Sequence, residues 1–301
     1  MTRHFTDIDD LSADELTTVL DTASELKAAV NRGEREPLLE RQTLGMVFEK
    51  PSARTRISFE TGMTQLGGHA IFLGPEDIGL GEREPLKDTA RTLSGFVDCA
   101  MVRLFEHGDL EELAAHATVP IVNGLTDDAH PCQTLADLLT IRETVGFDSR
   151  IAWVGDGNNV AQSFVLGCAL ADIDLTVATP EGYGIDESVL ERAAELGARP
   201  TTADDPERAV ADADAVYTDV WVSMGETDGA EKRTAFQESG FQLNEQLLAG
   251  TDARVLHCLP AHRGTEITDS VIESERSLVW RQAENRLHAQ KGLLTFLLDA
   301  R

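Results

Sequence analysis

Between Phe48 and Glu60 the sequence FEKPSARTRISFE sets Lys50, Arg54 and Arg56 within seven residues, interleaved with Ser52 and Thr55. The apolar run TLGMVF (43–48) before it reads as a strand, and ARTRISFETGMTQL after it reads as a helix. Ser52 then falls where an N-cap belongs. A helix N-terminus offers free backbone N–H groups and a partial positive charge, which suits a phosphate. Hydroxyl donors and planar guanidinium forks strengthen such a site. A capped surface helix with two solvated arginines would use the same residues. It leaves unexplained why basic side chains gather in a chain of 53 Asp and Glu against 26 Lys and Arg. This stretch is therefore expected to bind an anion.

Other polar residues stand at the ends of apolar runs. Arg103 closes DCAMVRL, and His107 follows as a candidate surface histidine. In DDAHPCQTLADLL, His130 and Gln133 are three residues apart at a helix start, so they can face one side. Together they could donate to a carbonyl oxygen that gains charge, or they are simply loop and first-turn residues. WVGDGNNVAQS has Gly155 and Gly157 of a dinucleotide fingerprint, but Val160 replaces the third glycine. The next strand, DLTVATP, ends without an acid for a ribose. Asn158 and Asn159 suggest a polar substrate there instead. Asp219, in YTDVWVSMGE, is either a cap or a partner for a cationic substrate. His257 and Cys258 end the run before Pro260. A lone cysteine is by default an inert buried thiol, and no ligand spacing around Cys258 favours a metal.

The elements that must position these residues alternate along the chain. A helix opens at LSADEL, where Ser12 and Glu15 have capping-box spacing. HAIFL, DCAMVRL and VPIVN read as strands, with PLKDTARTLSGF and DLEELAAHA as helices between them. A longer helix, TLADLLTIRETV, runs up to Gly146. The pattern restarts with RIAWVG (150–155), NVAQSFVLGCALA, DLTVATP and DESVLERAAELG. DAVYTDVW and RVLHCL are further strands, and RQAENRLHAQKGLLTFLLDA is a terminal amphipathic helix. Alternating strands and helices imply an α/β chain of two domains, each a parallel sheet flanked by helices. Residues 1–140 and 147–281 are the expected domains, with the long helix after Pro131 between them and 282–301 packing back on the first. In such sheets ligands sit beyond the carboxyl ends of the strands, where the candidate residues lie.

Composition bounds the function. A formal charge of −27 lacks the basic footprint that nucleic-acid binding needs. The acids are spread along the chain and only five residues are Lys. Self-repulsion of this size destabilises a compact state unless salt screens it, which suggests a high-salt cytoplasm. No run of 18 apolar residues appears and the N-terminus has neither a signal nor a transit pattern, so a cytoplasmic, non-membrane protein is expected. Cys99, Cys132, Cys168 and Cys258 form no C-x-x-C pair, so neither zinc nor redox chemistry is signalled.

Taken together and in order, these stretches resemble the aspartate/ornithine carbamoyltransferase family from about residue 4 to the C-terminus. SARTR (52–56) resembles its carbamoyl phosphate loop. HPCQ (130–133), HCLP (257–260) and GDGNN (155–159) match as they stand, and DVWVSMG (219–225) and AENR (283–286) are similar to further family segments. The resemblance implies transfer of a carbamoyl group from carbamoyl phosphate to the δ-amine of ornithine, without cofactor, metal or covalent intermediate. It implies that Ser52, Ala53, Arg54, Thr55, Arg103, His130, Gln133, Cys258, Leu259 and Arg286 surround carbamoyl phosphate. Asn159, Asp219, Ser223 and Met224 would hold ornithine, and Arg103, His130, Gln133 and Cys258 would be catalytic. It also implies domain closure and a homotrimer or an assembly of trimers. Two residues depart from the pattern. Ala53 replaces a Thr, and Gly79 stands where many members carry a Gln that reaches a neighbouring subunit's substrate. Aspartate or putrescine as the acceptor, a nicotinamide-dependent oxidoreductase and a non-catalytic anion-binding protein are the competing readings. Asp219 and Cys258 favour a cationic amino acid over aspartate.

Overall fold

Strand β1 (Thr43–Phe48) is buried along nearly its whole length, as a strand covered on both faces must be. It lies second in a four-stranded parallel sheet of order β2-β1-β3-β4, with β2 (His69–Leu73), β3 (Cys99–Arg103) and β4 (Ile121–Leu125). The computed structural model describes residues 2–81, 83–223 and 229–300. Helices α1 (Ala13–Asn31), α2 (Ala53–Gln65), α3 (Pro75–Ile78), α4 (Leu86–Ser94) and α5 (His107–His116) accompany this sheet. Ser12 caps α1 reciprocally with Glu15: its Oγ accepts from Glu15 N, and Glu15 Oε2 accepts from Ser12 N at 2.9 Å. Val47, Ala100, Val102, Leu93, Leu110 and Ile121 belong to one core cluster.

After α6 (Pro131–Thr144) a second parallel sheet begins, with order β7-β6-β5-β8-β9. Its strands are β5 (Arg150–Val154), β6 (Asp174–Ala178), β7 (Thr201–Ala203), β8 (Ala215–Thr218) and β9 (Arg254–His257). Helices α7 (Asn159–Leu170), α8 (Glu187–Leu196), α9 (Pro206–Val210), α10 (Gly229–Glu238) and α11 (Asp269–Ile272) flank it, and α12 (Val279–Leu297) ends the chain. Trp153, Tyr217 and Phe164 stack edgewise, with Tyr217 4.7 Å from Trp153 and 5.0 Å from Phe164. Gly197 stops α8 at φ +118°, a conformation glycine adopts without the Cβ penalty. The chain divides into two units, Met1–Leu139 with Asn285–Arg301, and Thr140–Glu284. The division falls inside α6 and inside α12. Among the described residues no helix is long and apolar enough to cross a membrane.

Each sheet reverses its strand order once. In the first, the chain passes from β1 outward to β2 and then back to β3. In the second it passes from β5 through β6 to β7 and then back to β8. The crevices beyond β1/β3 and β5/β8 are therefore the switch points at which ligands bind in open parallel sheets. The SARTR loop follows β1 and Arg103 ends β3, while GDGNN follows β5 and Asp219 follows β8.

Candidate active site

In the first unit the site is built on the N-terminus of α2. Ser52 is its N-cap: Ser52 Oγ accepts from Thr55 N at 3.3 Å and donates to Thr55 Oγ1 at 3.0 Å. Arg56 N bonds to Ser52 O, and the Ala53 and Arg54 N–H groups have no acceptor among the described residues. Arg286, on α12, donates from Nη2 to Thr55 Oγ1 at 2.8 Å and from Nη1 to Gln133 Oε1 at 2.7 Å. Its Nη1 also lies 3.4 Å from His130 Nε2. Gln133 in turn donates from Nε2 to Asp137 Oδ1 at 2.8 Å, which fixes which end of its amide is the oxygen. Thr55 Oγ1 receives two donors, so its own proton is left to give to a ligand.

Arg103 sits beside them. The β3–β4 register shifts between Val102 and Arg103, an irregularity that re-aims a side chain at a strand end. Arg103 is buried, and its Nε has no hydrogen-bond partner among the described residues. Burial, and then the charges of Arg286 and Arg54, lower its pKa to about 10. Three guanidinium groups thus repel one another around a helix N-terminus, a state that an anion relieves. Burial first, then Arg286 and Arg103, holds His130 well below the usual imidazole range, so its ring is neutral. Not every basic residue of the opening stretch belongs here. Lys50 is buried, ion-paired with Asp127, and 4.2 Å from the centre of the Phe105 ring. Arg56 turns along α2 to Glu60 at 2.9 Å and lies 3.9 Å over the Phe72 ring. The expectation that Arg56 serves the anion is therefore corrected, since its position one helical turn before Glu60 favours the local pair. Of the stretch's three cations, Arg54 alone remains without an ion-pair partner among the described residues.

In the second unit Asp219, just past β8, joins two elements. Its Oδ1 is 2.8 Å from Cys258 Sγ, and its Oδ2 accepts from Asn158 Nδ2 at 2.9 Å. Asn158 Oδ1 meanwhile caps α7 through Val160 N and Ala161 N. Among the described residues no basic side chain pairs with Asp219. Beyond Cys258, Leu259 has φ +61° and its N–H donates to His257 Nδ1 at 2.9 Å. His257 therefore carries its proton on Nε2 and donates it to Glu266 Oε1 at 3.1 Å, both side chains being fully buried. This pair holds the backbone beside Cys258 in a conformation that a leucine does not take by itself. Ligand atoms of Asp219, His257 and Cys258 lie within 4.8 Å of one another. Both ring nitrogens of His257 are engaged, however, so the group falls short of the three or four ligands a zinc site takes. We assign no metal to it. A Cβ on Gly157 would meet Gly184 O at 2.3 Å. The glycine thus admits a neighbouring loop, and the GDGNN turn needs no pyrophosphate to explain it.

The family models narrow the readings to a carbamoyltransferase. Residues 3–143 match the carbamoyl-P binding domain of aspartate/ornithine carbamoyltransferase, and residues 148–297 match its Asp/Orn binding domain. The chain belongs to the aspartate/ornithine carbamoyltransferase family. This carbamoyltransferase chain is 65% identical over 299 residues to an ornithine carbamoyltransferase from Haloquadratum walsbyi, covering 98% of each. It superposes on the ornithine carbamoyltransferase from Pyrococcus furiosus with a TM-score of 0.94, at 48% identity and covering 99% and 97% of the two chains. That from Thermus thermophilus gives 0.89 at 42% identity, covering 99% of each.

Within the carbamoyltransferase, Ser52, Thr55, His130, Gln133 and Arg286 form one hydrogen-bonded group. Ala53 and Arg54 stand at the same helix end, and Arg103 is coupled to it by charge. Asp219 and Cys258 are brought together, with Leu259 beside them. Asn159 is the first residue of α7, but the asparagine bonded to Asp219 is Asn158. Ser223 is half-exposed four residues past Asp219, and Met224 lies outside the described residues. Gly79 caps α3 at φ +54°, and Arg83 folds over it, donating to Glu76 O at 2.9 Å and Asp77 O at 3.2 Å. Sequence reasoning missed Glu266. A buried acid nine residues from a buried histidine carries no local pattern, and the cue was only that HCLP ends a strand.

Proposed function

We propose that this carbamoyltransferase moves the carbamoyl group of carbamoyl phosphate to the δ-amine of L-ornithine, giving L-citrulline and phosphate. The relatives named above are ornithine carbamoyltransferases. The observation that carries the choice of acceptor is the Asp219 carboxylate, held between Asn158 and Cys258 with no basic partner among the described residues. It suits an ammonium group and would repel a second carboxylate, which disfavours aspartate.

In this reading Ser52, Ala53, Arg54, Thr55 and Arg103 hold the phosphate, and Arg286 completes the pocket. The Ala53 and Arg54 N–H groups meet phosphate oxygens directly, so the missing hydroxyl at residue 53 is tolerated. Arg103, the Thr55 hydroxyl and His130 face the carbonyl oxygen. Gln133 Oε1 has a second lone pair free to accept from the carbamoyl amine. Asn159, Asp219, Ser223 and Met224 hold the amino acid, while Cys258 and the Leu259 backbone orient its Nδ. That nitrogen is protonated in water, as in lysine, and must lose its proton to attack. Nearby cations favour the neutral form. Attack on the carbamoyl carbon places negative charge on the former carbonyl oxygen. A fixed donor there contributes about 2.7–4 kcal/mol. The C–O bond to phosphate then breaks as the attacking nitrogen gives its surplus proton to the departing phosphate oxygen, and the resulting hydrogen phosphate dianion stays within the guanidinium groups. The same residues serve the reverse reaction. The reading further takes the protein to be a cytoplasmic homotrimer, or an assembly of trimers, that works at high salt. Carbamoyl phosphate and ornithine are its partners.

A colorimetric citrulline assay in molar KCl with ornithine, putrescine and aspartate tests it. Citrulline from ornithine alone is expected. Carbamoylaspartate or carbamoylputrescine formed in its place would overturn the assignment.

A further inference from the structure

The segment that carries Ser223 has both of its flanks fastened to one turn. At the first flank, Asp219 accepts from Asn158. At the second, Lys232 on α10 reaches back from Nζ to Asp156 Oδ2 at 2.7 Å. Asp156 and Asn158 are two residues apart in the GDGNN turn between β5 and α7. The turn is itself rigidly seated: Asp156 O accepts from Trp153 Nε1 at 3.0 Å, and Gly157 N donates to Tyr183 O at 2.9 Å. The Lys232 and Asp156 side chains are only 12% and 8% exposed. The ammonium also lies 5.5 Å from the centre of the Tyr183 ring. One turn further along α10, Phe236 is fully buried among Trp221, Tyr183 and Phe241, at 5.3, 5.1 and 5.8 Å.

An exposed ion pair would add little order. One this secluded behaves differently, because removing either partner leaves the other's charge less well compensated at a place with little access to water. The aromatic cluster fixes how closely α10 packs on the sheet, but an apolar contact does not fix its slide along the surface. The ion pair supplies that fixed point. Asp219 and Lys232 then close a ring: turn, Asp219, intervening segment, α10, Lys232, and turn again.

We propose that Lys232 is a positioning residue for the amino-acid half of the site: tied to Asp156, it sets Ser223 against the Asn158–Asp219 pair and so governs ornithine affinity without touching ornithine. The inference rests on assigning that half-site to ornithine. Its rival gives Lys232 a direct role as the cation that meets the substrate's α-carboxylate. The two differ in what Asp156 does. A tether fails when either end is removed, whereas a direct ligand is set free when Asp156 loses its charge.

The test is steady-state kinetics on the full-length enzyme in molar KCl, with Lys232→Met, Lys232→Arg, Asp156→Asn and the double variant Lys232→Met/Asp156→Asn. Lys232→Met and Asp156→Asn are each expected to raise the ornithine KM about tenfold, within the range coupled contacts span. The KM for carbamoyl phosphate should stay within about twofold, the double variant should be no worse than either single one, and Lys232→Arg should restore most of the affinity. An unchanged ornithine KM in Lys232→Met overturns the proposal. So does a lowered ornithine KM in Asp156→Asn, which the direct-ligand rival predicts, and so does an equal rise in both substrates' KM. Should Lys232→Met fail to fold, the other two single variants decide: Asp156→Asn must raise the ornithine KM and Lys232→Arg must not. Failure of the acceptor assignment shows separately, as wild-type enzyme that makes no citrulline from ornithine.

Discussion

Replacing Arg286 by Met probes the first half of the site most sharply, because the apolar side chain keeps much of the arginine stem's volume and loses only the guanidinium. Contacts at 2.7 Å to Gln133 Oε1, 2.8 Å to Thr55 Oγ1 and 3.4 Å to His130 Nε2 disappear. Each bond to a charged group contributes about 1.5–3 kcal/mol. That loss falls on the free and the liganded enzyme alike, so it shows as lowered stability. What falls on catalysis alone is one charged donor at the departing phosphate, about 2.7–4 kcal/mol, or a drop of ~10²–10³-fold in kcat/KM for carbamoyl phosphate. A second effect separates this account from simple disruption. Arg286 is the second cause, after burial, of the lowered pKa of His130. Without it that pKa rises, while burial keeps it below the ordinary imidazole value. The acid limb of the kcat/KM profile should therefore move to higher pH. Initial-rate citrulline assays from pH 5 to 9 measure both quantities. A loss under tenfold, or a large loss with an unmoved acid limb, would refute the reasoning.

Cys258→Ala should raise the ornithine KM more than the carbamoyl phosphate KM, because the thiol touches Asp219; equal rises in steady-state assays would remove Cys258 from the amine's side. His288 is buried and its pKa is lowered to about 3, by burial first and then by Lys291, Lys27 and Arg35. Its unfolded form takes up a proton below about pH 6.5 and its folded form does not, so stability falls as pH drops from there toward 3. The ceiling of this effect is about 2.7 kcal/mol at pH 4.5. His288→Gln should flatten that slope in urea titrations at pH 7 and 4.5, and an unchanged slope would contradict it. Lowering KCl from molar to 0.1 M should lower Tm, because 53 acids face 26 Lys and Arg; equal stability in thermal scans would reject a salt requirement.

The long, strongly patterned elements were legible before the structure. LGMVF and CAMV are apolar throughout because both faces of their sheet are covered. The Ser12–Glu15 capping box and the Gly197 stop could be read residue by residue. Strand β7 could not, since it has only three residues, mostly exposed. Helix α10 was equally hidden: among its residues only Gly229 and Phe236 are buried, too few for a periodic stripe. DAVYTDVW read as one strand, yet β8 stops at Thr218 and leaves Asp219 free to turn toward Asn158 and Cys258.

The site shows the same division. Ser52 and Thr55 could be placed from the strand-to-helix turn alone. Whether Lys50 and Arg56 served the anion depended on Asp127, Phe105, Glu60 and Phe72, and only Glu60 is near enough in sequence to hint at it. The acidic composition was informative in a way not apparent at first. Of the five lysines, Lys50 and Lys291 are buried and Lys27 and Lys232 half-buried, each with a polar partner, and Lys87 alone is exposed. Surface lysine is nearly absent, and the lysines that remain tie elements together.

The most direct test of the central claim is a crystal structure of the enzyme with carbamoyl phosphate bound. The phosphate should sit on the first turn of α2, within hydrogen-bond distance of Ser52 Oγ, the Ala53 and Arg54 N–H groups and the Arg54 guanidinium. Arg56 should remain on Glu60. Density for the phosphate elsewhere, or an ordered complex in which Arg54 points into solvent, would contradict the account.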